Sequence, residues 1–267
     1  MTSKETLERV KRSTVALAFL PPEPSADPKI APFVIIGSGF CIDESGTVVT
    51  CEHVVNAFLA RDFRQLIAEV PPEDQTKDLW PLRNIQMMIP HALFFFTDKS
   101  PEHLYVLPVP VEFGMAKMDY DIGLLRLRKH PAFTTFPFLE IESFEELYEG
   151  MEVATCGFPL GNDLQTQLGT MTSSFTRGIL SSIIPAPNTI PKYVTGFQLD
   201  LAATNGNSGG PVFNWATGKV LGVLQGAPVH GKNAPVAGLA KAESIYLILN
   251  DGALERFRAG PPNLSKL

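Results

Sequence analysis

The stretch Asn205-Gly206-Asn207-Ser208-Gly209-Gly210-Pro211-Val212 sets one serine among glycines and runs directly into a strand-like segment. Glycine carries no side chain that could block a tight turn, so the serine hydroxyl is expected to be exposed there. The backbone N–H groups of such a turn can also converge on one point, where they would stabilise a negatively charged oxygen. The stretch therefore predicts a nucleophilic serine, and a purely structural glycine-rich turn is the alternative.

The same residues fit the G-x-S-x-G pattern of the nucleophile elbow in α/β hydrolases. An elbow serine leads into a helix, and its acid and its histidine follow it in the chain. Here Pro211-Val212-Phe213 continues as a strand, and His230 is the only histidine after the serine. This context argues against the α/β-hydrolase fold.

A serine hydroxyl needs a base to take its proton near neutral pH, and histidine is the side chain best suited to that task. Four of the five histidines lie beside proline, charged residues or glycine in predicted loops, which favours surface or structural roles: His91, His103, His130 and His230. His53 instead ends a strand-like run and precedes a predicted helix. Its ring could project there at the rim of a barrel, so His53 is the candidate base.

The imidazole of such a base must be held in one tautomer, and a buried carboxylate does this while stabilising the charged ring. The segment Asp119-Tyr-Asp121-Ile-Gly-Leu-Leu125 offers two acids at the start of an apolar strand. Asp121 directly precedes the strand and is the candidate partner, whereas Asp119 fits a solvated loop. A simple turn role is the alternative for Asp121.

Taken with their surroundings, these three residues resemble the trypsin-like (chymotrypsin-fold) serine peptidases, specifically the protease domain of HtrA/DegP proteins. The segments that carry the resemblance are Gly37-Ser-Gly-Phe40, Val49-Thr-Cys-Glu-His53-Val-Val55, Asp121-Ile-Gly-Leu-Leu125, Gly157-Phe-Pro-Leu-Gly161, Thr176-Arg-Gly178-Ile-Leu-Ser181 and Gly206-Asn-Ser208-Gly-Gly-Pro211. They occur in the order His, Asp, Ser and span roughly residues 10 to 250.

The resemblance implies a serine endopeptidase that works through an acyl-enzyme intermediate and needs no cofactor or metal. In it Ser208 would attack the scissile carbonyl, His53 would carry the proton to the leaving amine, and Asp121 would orient the imidazole. The N–H groups of Gly206 and Ser208 would form the oxyanion hole. A latent or non-catalytic peptide-binding module with the same fold is the alternative function.

The resemblance also implies where the primary substrate pocket lies. Ala202, six residues before the candidate nucleophile, would form its floor. Four residues would form its walls: Gln225, Gly226, Ala227 and Gly238. Because no acid stands at the floor, an Arg or Lys side chain of a substrate would have no partner there. We therefore expect cleavage of peptide or protein substrates after small or medium apolar residues.

The rest of the chain contains short β-type runs separated by glycine, proline or asparagine, as in antiparallel sandwiches and barrels. With the resemblance, this predicts an all-β protein of two six-stranded antiparallel β-barrels, chymotrypsin-like, with an inserted helix and a C-terminal helix. The predicted N-terminal barrel covers 13–130 with an insertion at 57–112, and the C-terminal barrel covers 138–242 before a helix at 243–258. Apolar spacing predicts the inserted helix over 54–70. The insertion is either an ordinary one or a lid or partner-binding element.

Composition excludes several classes of function. The chain has 267 residues, 45% of them hydrophobic, and its 28 acidic and 22 basic side chains give a net charge of −6. It lacks a concentrated Lys/Arg face, so a nucleic-acid surface is not expected. Apolar stretches such as Val34–Ile36 and Ala92–Phe96 are far shorter than the roughly 20 residues that a spanning helix needs. We therefore expect no membrane insertion, and no sequence feature indicates an oligomeric state.

Three cysteines, Cys41, Cys51 and Cys156, are too few for a disulfide framework and odd in number, so buried free thiols are expected. The N-terminal residues lack the purely basic and apolar regions of a signal peptide. Both observations favour a cytoplasmic rather than a secreted chain. A zinc site at Cys51 and His53 is not expected, because the other cysteines lack metal-ligand spacing. Only 17 residues follow Asn250, so no PDZ domain of the kind found in HtrA proteins is expected.

Overall fold

The computed structural model describes residues 3–21, 33–60, 89–97, 104–117, 120–159, 172–185, 194–204, 206–226, 229–230, 234–235 and 239–260. Its helices are α1 (Ser3–Ser13), α2 (Glu52–Ala60), α3 (Tyr246–Asn250) and α4 (Ala253–Arg258), with a 3₁₀ turn at Phe144–Glu146. Its strands are β1 (Thr14–Leu20), β2 (Val34–Cys41), β3 (Thr47–Thr50), β4 (Ile89–Thr97), β5 (Leu104–Lys117), β6 (Ile122–Leu127), β7 (Glu152–Gly157), β8 (Ser174–Pro185), β9 (Val194–Asp200), β10 (Pro211–Asn214), β11 (Val220–Gly226), β12 (Val229–His230), β13 (Ala234–Pro235) and β14 (Ala240–Ser244). None of the described helices is long and apolar enough to cross a membrane.

The first six strands close into an antiparallel barrel in the order β1-β2-β3-β6-β5-β4. β1 is buried on both faces, which explains why its sequence is a continuous apolar run rather than an alternating one. Leu17 and Phe19 belong to the large core cluster of the molecule. Ala16 and Ala18 belong to a second cluster that contains Phe158, from the residue after β7. The second cluster therefore joins the N-terminal barrel to the strands that follow it.

A second closed antiparallel barrel has the strand order β10-β11-β14-β9-β8-β7. β-Branched and aromatic residues suit its pleated, half-buried strands. Its largest fully buried side chains are Phe197 on β9 and Phe213 on β10. β11 and β14 are short strands, and most of their residues are buried. Both barrels share one continuous hydrophobic core cluster.

The prediction of two six-stranded antiparallel barrels is confirmed. Two finer expectations need correction. The stretch 57–112 is not an insertion throughout, because β4 and most of β5 are strands of the first barrel. The single helix expected at 243–258 is divided into α3 and α4, because Gly252 takes a left-handed conformation with φ 68° that helices do not continue through. The helix predicted over 54–70 begins at Glu52, and its part beyond residue 60 lies outside the described residues.

The turn between β2 and β3 is clamped to the C-terminal helix α4 by one carboxylate. Asp43 Oδ1 accepts hydrogen bonds from the N–H groups of Ser45 (3.1 Å) and Thr47 (3.0 Å) and from the Ser45 hydroxyl. Its Oδ2 accepts from Arg258 Nη2 at 2.9 Å and Nε at 3.1 Å. Burial acts to raise the pKa of Asp43, but these hydrogen bonds outweigh it and lower the pKa from 3.8 to about 2. Ionised Asp43 therefore stabilises the folded chain.

We expect Asp43→Asn to lower the free energy of unfolding at neutral pH by about 2 kcal/mol, the value of such a pKa shift. A lowered folded-state pKa gives stability that is full above about pH 4 and is lost as the pH falls toward 2. Urea unfolding at a series of pH values measures this, and the variant should lack that part of the acid-dependent loss. Glu8→Gln, whose carboxylate is exposed beside Lys4, is the control and should behave like the wild type.

Candidate active site

The turn that carries Ser208 lies between β9 and β10 and fits its surroundings only with glycine at position 209. Gly209 has φ 87°, in the left-handed region, and a Cβ there would lie 2.1 Å from the carbonyl oxygen of Ser38 and 2.2 Å from Thr50 Oγ1. Any larger residue would push the turn away from β2 of the other barrel. The turn thus combines an unusual backbone conformation with a close approach between barrels.

Ser38 on β2 binds this turn directly, although sequence reasoning did not single it out as a site residue. Its N–H donates to the carbonyl oxygen of Ser208 at 2.8 Å, and its hydroxyl donates to the carbonyl oxygen of Gly206 at 2.6 Å. The same hydroxyl accepts from the N–H of Phe158 at 3.0 Å. One side chain therefore holds the Ser208 turn against both β2 and the end of β7.

His53 lies in the first turn of α2 and is paired with Asp121, the residue before β6. Its Nδ1 lies 2.9 Å from Asp121 Oδ2 and 3.0 Å from Oδ1, and its own N–H donates to Oδ1 at 3.1 Å. An ionised carboxylate only accepts, so Nδ1 carries the proton in this pair and Nε2 is left unprotonated in the neutral ring. This is the tautomer in which an imidazole can act as a base through Nε2.

The charge of Asp121 is maintained by its neighbours. Burial acts to raise the pKa of Asp121, but the hydrogen bonds and charge of His53, with a smaller effect of the Cys51 thiol, outweigh burial and lower the pKa. The side chain of Asp121 is 26% exposed and that of His53 is 51% exposed. The Asp121 carboxylate is therefore partly shielded, whereas the ring of His53 remains open to solvent.

The Ser208 hydroxyl donates to the carbonyl oxygen of Gln225 on β11, at 2.8 Å. A hydroxyl has one proton to donate, so in this conformation it does not donate to His53. The N–H groups of Asn207, Gly209 and Gly210 donate to backbone carbonyls, whereas those of Gly206 and Ser208 have no acceptor within the described part of the chain. These last two N–H groups are the ones expected at the oxyanion hole.

The expected pocket residues are only partly brought together. Ala202 is exposed just before the Ser208 turn, and a Cβ on Gly226 would lie 3.9 Å from Ser208 Oγ, so Gly226 leaves open space in front of the hydroxyl. The carboxamide of Gln225 is bonded to Asp121 and Glu243, so its side chain is engaged within the protein. Ala227 and Gly238 lie outside the described residues.

Cys51 brings a thiol next to Asp121 and His53. Its sulfur, a ring nitrogen of His53 and a carboxylate oxygen of Asp121 all lie within 4.8 Å of one another, which is a possible set of metal ligands. Metal binding needs a thiolate. Burial, with the nearby charge of Asp121, raises the pKa of Cys51 well above its usual value, and the thiol donates to the carbonyl oxygen of Leu224 at 3.2 Å. The arrangement therefore suits hydrogen bonding better than metal binding.

The fold and this arrangement of side chains agree with the comparisons to known proteins. The chain matches the trypsin-like peptidase domain family over residues 37–223 and belongs to that family. The relatives and solved structures that it resembles are proteases of the HtrA/DegP type.

Two curated relatives carry the name probable periplasmic serine endoprotease DegP-like. The one from Halomonas elongata is 27% identical over 235 residues, which are 83% of this chain and 36% of the relative. The one from Pseudomonas fluorescens is 26% identical over 191 residues, which are 70% of this chain and 28% of the relative. The chain therefore matches only about a third of the length of these proteins.

Solved structures with the same fold include the HtrA-type protease AlgW with a decapeptide and Deg5. AlgW superposes with a TM-score of 0.58 at 14% identity, covering 96% of this chain and 68% of that chain. Deg5 gives a TM-score of 0.56 at 16% identity, covering 92% and 90%. At these identities the likeness concerns the fold.

The expectation of a cytoplasmic chain is wrong by this comparison, because both curated relatives are named periplasmic. The cysteine count led to the wrong compartment because it does not distinguish the cytoplasm from the periplasm. Cys41, Cys51 and Cys156 are free and buried, and thiols enclosed in a core cannot reach a partner in an oxidising compartment either.

We expect Ser38→Ala to lower the free energy of unfolding by about 1–3 kcal/mol, because it leaves the partly buried Gly206 carbonyl and the buried Phe158 N–H without their partner. Urea unfolding measures the change. Thr155→Val is the matched control: Thr155 lies on β7, three residues before Phe158, and its buried hydroxyl has no hydrogen-bond partner in the described part of the chain. The control should be neutral or more stable, and an equal loss in both variants would contradict the role given to Ser38.

Proposed function

We propose that this protein hydrolyses peptide bonds with Ser208 as nucleophile, His53 as general base and then acid, and Asp121 as the residue that orients the imidazole. The observation that carries the proposal is the pairing of His53 with Asp121 through both the ring and the backbone N–H. It supports a base whose free Nε2 is directed away from the acid. The substrates would be peptides or proteins, and the periplasm named for the relatives is the proposed compartment.

The first step would begin with the Ser208 hydroxyl leaving the Gln225 carbonyl. His53 would take its proton as the oxygen attacks the scissile carbonyl carbon, forming a tetrahedral intermediate. The N–H groups of Gly206 and Ser208 would donate to the resulting oxyanion, because they have no other described acceptor. His53 would then pass the proton to the leaving amine. In the second half, His53 would take a proton from water as the water attacks the acyl-enzyme, and would give that proton to the Ser208 oxygen as it leaves.

The end of β11 offers an edge on which an extended peptide could lie. β10 pairs with β11 only as far as Val223, so within the described residues Gln225 and Gly226 extend past the end of β10 beside Ser208. A peptide that adds as a strand there would be held by main-chain hydrogen bonds. Its N–H groups would compete with the Ser208 hydroxyl for the Gln225 carbonyl, which supports a nucleophile released by substrate.

We expect Ser208→Ala to abolish peptide hydrolysis, with a loss of about 10⁶-fold in kcat, because nucleophile and base act as a unit. Turnover of a peptide mixture by the purified protein, followed by mass spectrometry, measures this. A fluorophosphonate probe should label the wild type and spare the variant. Ser45→Ala, at an exposed serine in the β2–β3 turn, is the control and should be labelled like the wild type. Unchanged turnover in Ser208→Ala would contradict the mechanism.

A second candidate is a latent or non-catalytic peptide-binding module. The observation that favours it is the hydrogen bond from the Ser208 hydroxyl to Gln225, which engages the nucleophile away from the base. The same probe separates the two functions. A folded wild type that binds peptides but leaves Ser208 unlabelled supports the module, whereas labelling of Ser208 supports the peptidase.

We also propose that cleavage follows small or medium apolar residues, since Ala202 would form an uncharged pocket floor. A peptide library should show this preference in the wild type. Ala202→Asp should shift the preference toward Lys and Arg by placing a carboxylate at the floor, and Ala202→Asn, equal in size but uncharged, should not. A strong preference of the wild type for Arg or Lys would contradict the placement of the pocket.

A further inference from the structure

Gln225 is the bulge residue of β11. Leu224 pairs with Ala242 on β14, but the register shifts before the next pair, Gly226 with Lys241. Such a bulge leaves the extra residue out of the ladder and redirects its side chain. The carbonyl of Gln225 is thereby free of β14 and accepts the Ser208 hydroxyl.

The carboxamide of the same residue joins two carboxylates. Its Nε2 donates to Asp121 Oδ2 at 3.3 Å and to Glu243 Oε1 at 2.9 Å. Both neighbours are acceptors, so only the NH₂ end of the amide can face them, and its two protons meet the two acids. Glu243 is 8% exposed and also receives Lys241 Nζ at 3.3 Å. The contacts form a row from Lys241 through Glu243 and Gln225 to Asp121.

We propose that Gln225 is a positioning residue for the Asp121–His53 pair and that Glu243, with Lys241, holds its carboxamide in place. The inference rests on the proposed function of that pair. His53 binds Asp121 from one side, and Gln225 fixes Oδ2 from another, so the carboxylate keeps both oxygens near the imidazole. Gln225 acts through Asp121, and its side chain is therefore not a wall of the substrate pocket.

The charges around His53 decide how each substitution should act. Asp121 faces the ring directly, and Glu243 lies one hydrogen-bonded residue further, balanced by Lys241. On the helix of His53 itself, Glu52 accepts from Asn56, and the Cys51 thiol just before the helix is uncharged. The positive end of the Gln225 amide opposes the hold of Asp121 on a charged imidazole. Removing the amide should favour the charged ring, and removing the charge of Glu243 should disfavour it.

The test is the pH dependence of kcat/KM for three variants with a peptide that the wild type cleaves. Gln225→Leu should lower kcat about tenfold, the value of one hydrogen bond to a charged group, and leave KM nearly unchanged. Its acid limb should move to higher pH, whereas the acid limb of Glu243→Gln should move to lower pH. In Glu243→Gln the new amide oxygen can still accept from Gln225, so only the charge is lost.

Asn214→Leu is the matched control. Asn214 Nδ2 donates to the buried carboxylate of Glu142 at 2.8 Å, so its loss also removes an amide from a buried acid, on another strand of the same barrel. It should lose comparable stability and keep the wild-type pH profile. An unmoved acid limb in Gln225→Leu, the same movement in Asn214→Leu, or movement in one direction for both Gln225→Leu and Glu243→Gln would overturn the proposal.

A second measurement separates this inference from the proposed activity. In a Ser208→Ala background, the proton between His53 Nδ1 and Asp121 should give a downfield NMR resonance that needs no turnover to observe. Adding Gln225→Leu should broaden or shift it, and adding Asn214→Leu should not. If the wild type cleaves no peptide, the proposed function fails while this resonance still tests Gln225. An unchanged resonance with Gln225→Leu would overturn the positioning role.

Discussion

The packing of the Ser208 turn against β2 is the constraint on which the site depends. Gly209 leaves no space for a side chain, and Ser38 bonds the turn through its N–H and its hydroxyl. Thr50 Oγ1 donates to the carbonyl oxygen of Ser38 at 2.7 Å, three residues before His53. The Ser208 turn and the segment before His53 are thus both bonded to Ser38 of β2. The serine belongs to one barrel and the histidine to the other, so both barrels must fold before the two side chains can work together.

Asp121 adds an electrostatic requirement to this geometric one. A partly buried carboxylate is costly unless donors surround it, and here they come from the start of α2 and from the bulge of β11. The preceding residue is also fixed, because the Tyr120 hydroxyl donates to Asp251 Oδ2 at 2.7 Å, beside the break between α3 and α4. The helix break at Gly252 therefore lies next to Asp251, the residue that fixes Tyr120 just before Asp121. The start of α2, the residue before β6 and the bulge of β11, which are far apart in sequence, therefore meet at the Asp121 carboxylate.

The barrels could be predicted from the short β-type runs together with the resemblance, and the candidate residues Ser208, His53 and Asp121 were chosen on local signals. A serine among glycines, a histidine at a strand end and an acid before an apolar strand can each be recognised within a few neighbouring residues. The bonds of Ser38, the bulge at Gln225 and its bridge to Glu243 could not be predicted. They depend on strand register and on contacts across 168, 104 and 18 residues, which no single segment encodes. The pocket remains a prediction, since it rests on the resemblance and two of its residues lie outside the described chain.

The bulge at Gln225 explains why one residue can serve both sides of the site. In a regular strand, the carbonyl of residue 225 would be directed to a neighbouring strand and its side chain would follow the alternation of the barrel. The bulge frees both the carbonyl and the side chain of Gln225 from these directions. Its carbonyl reaches the hydroxyl of Ser208, and its amide reaches the carboxylate of Asp121. Any movement of β11 at this residue would therefore act on Ser208 and Asp121 together. A regular strand at this position would leave the two groups mechanically independent.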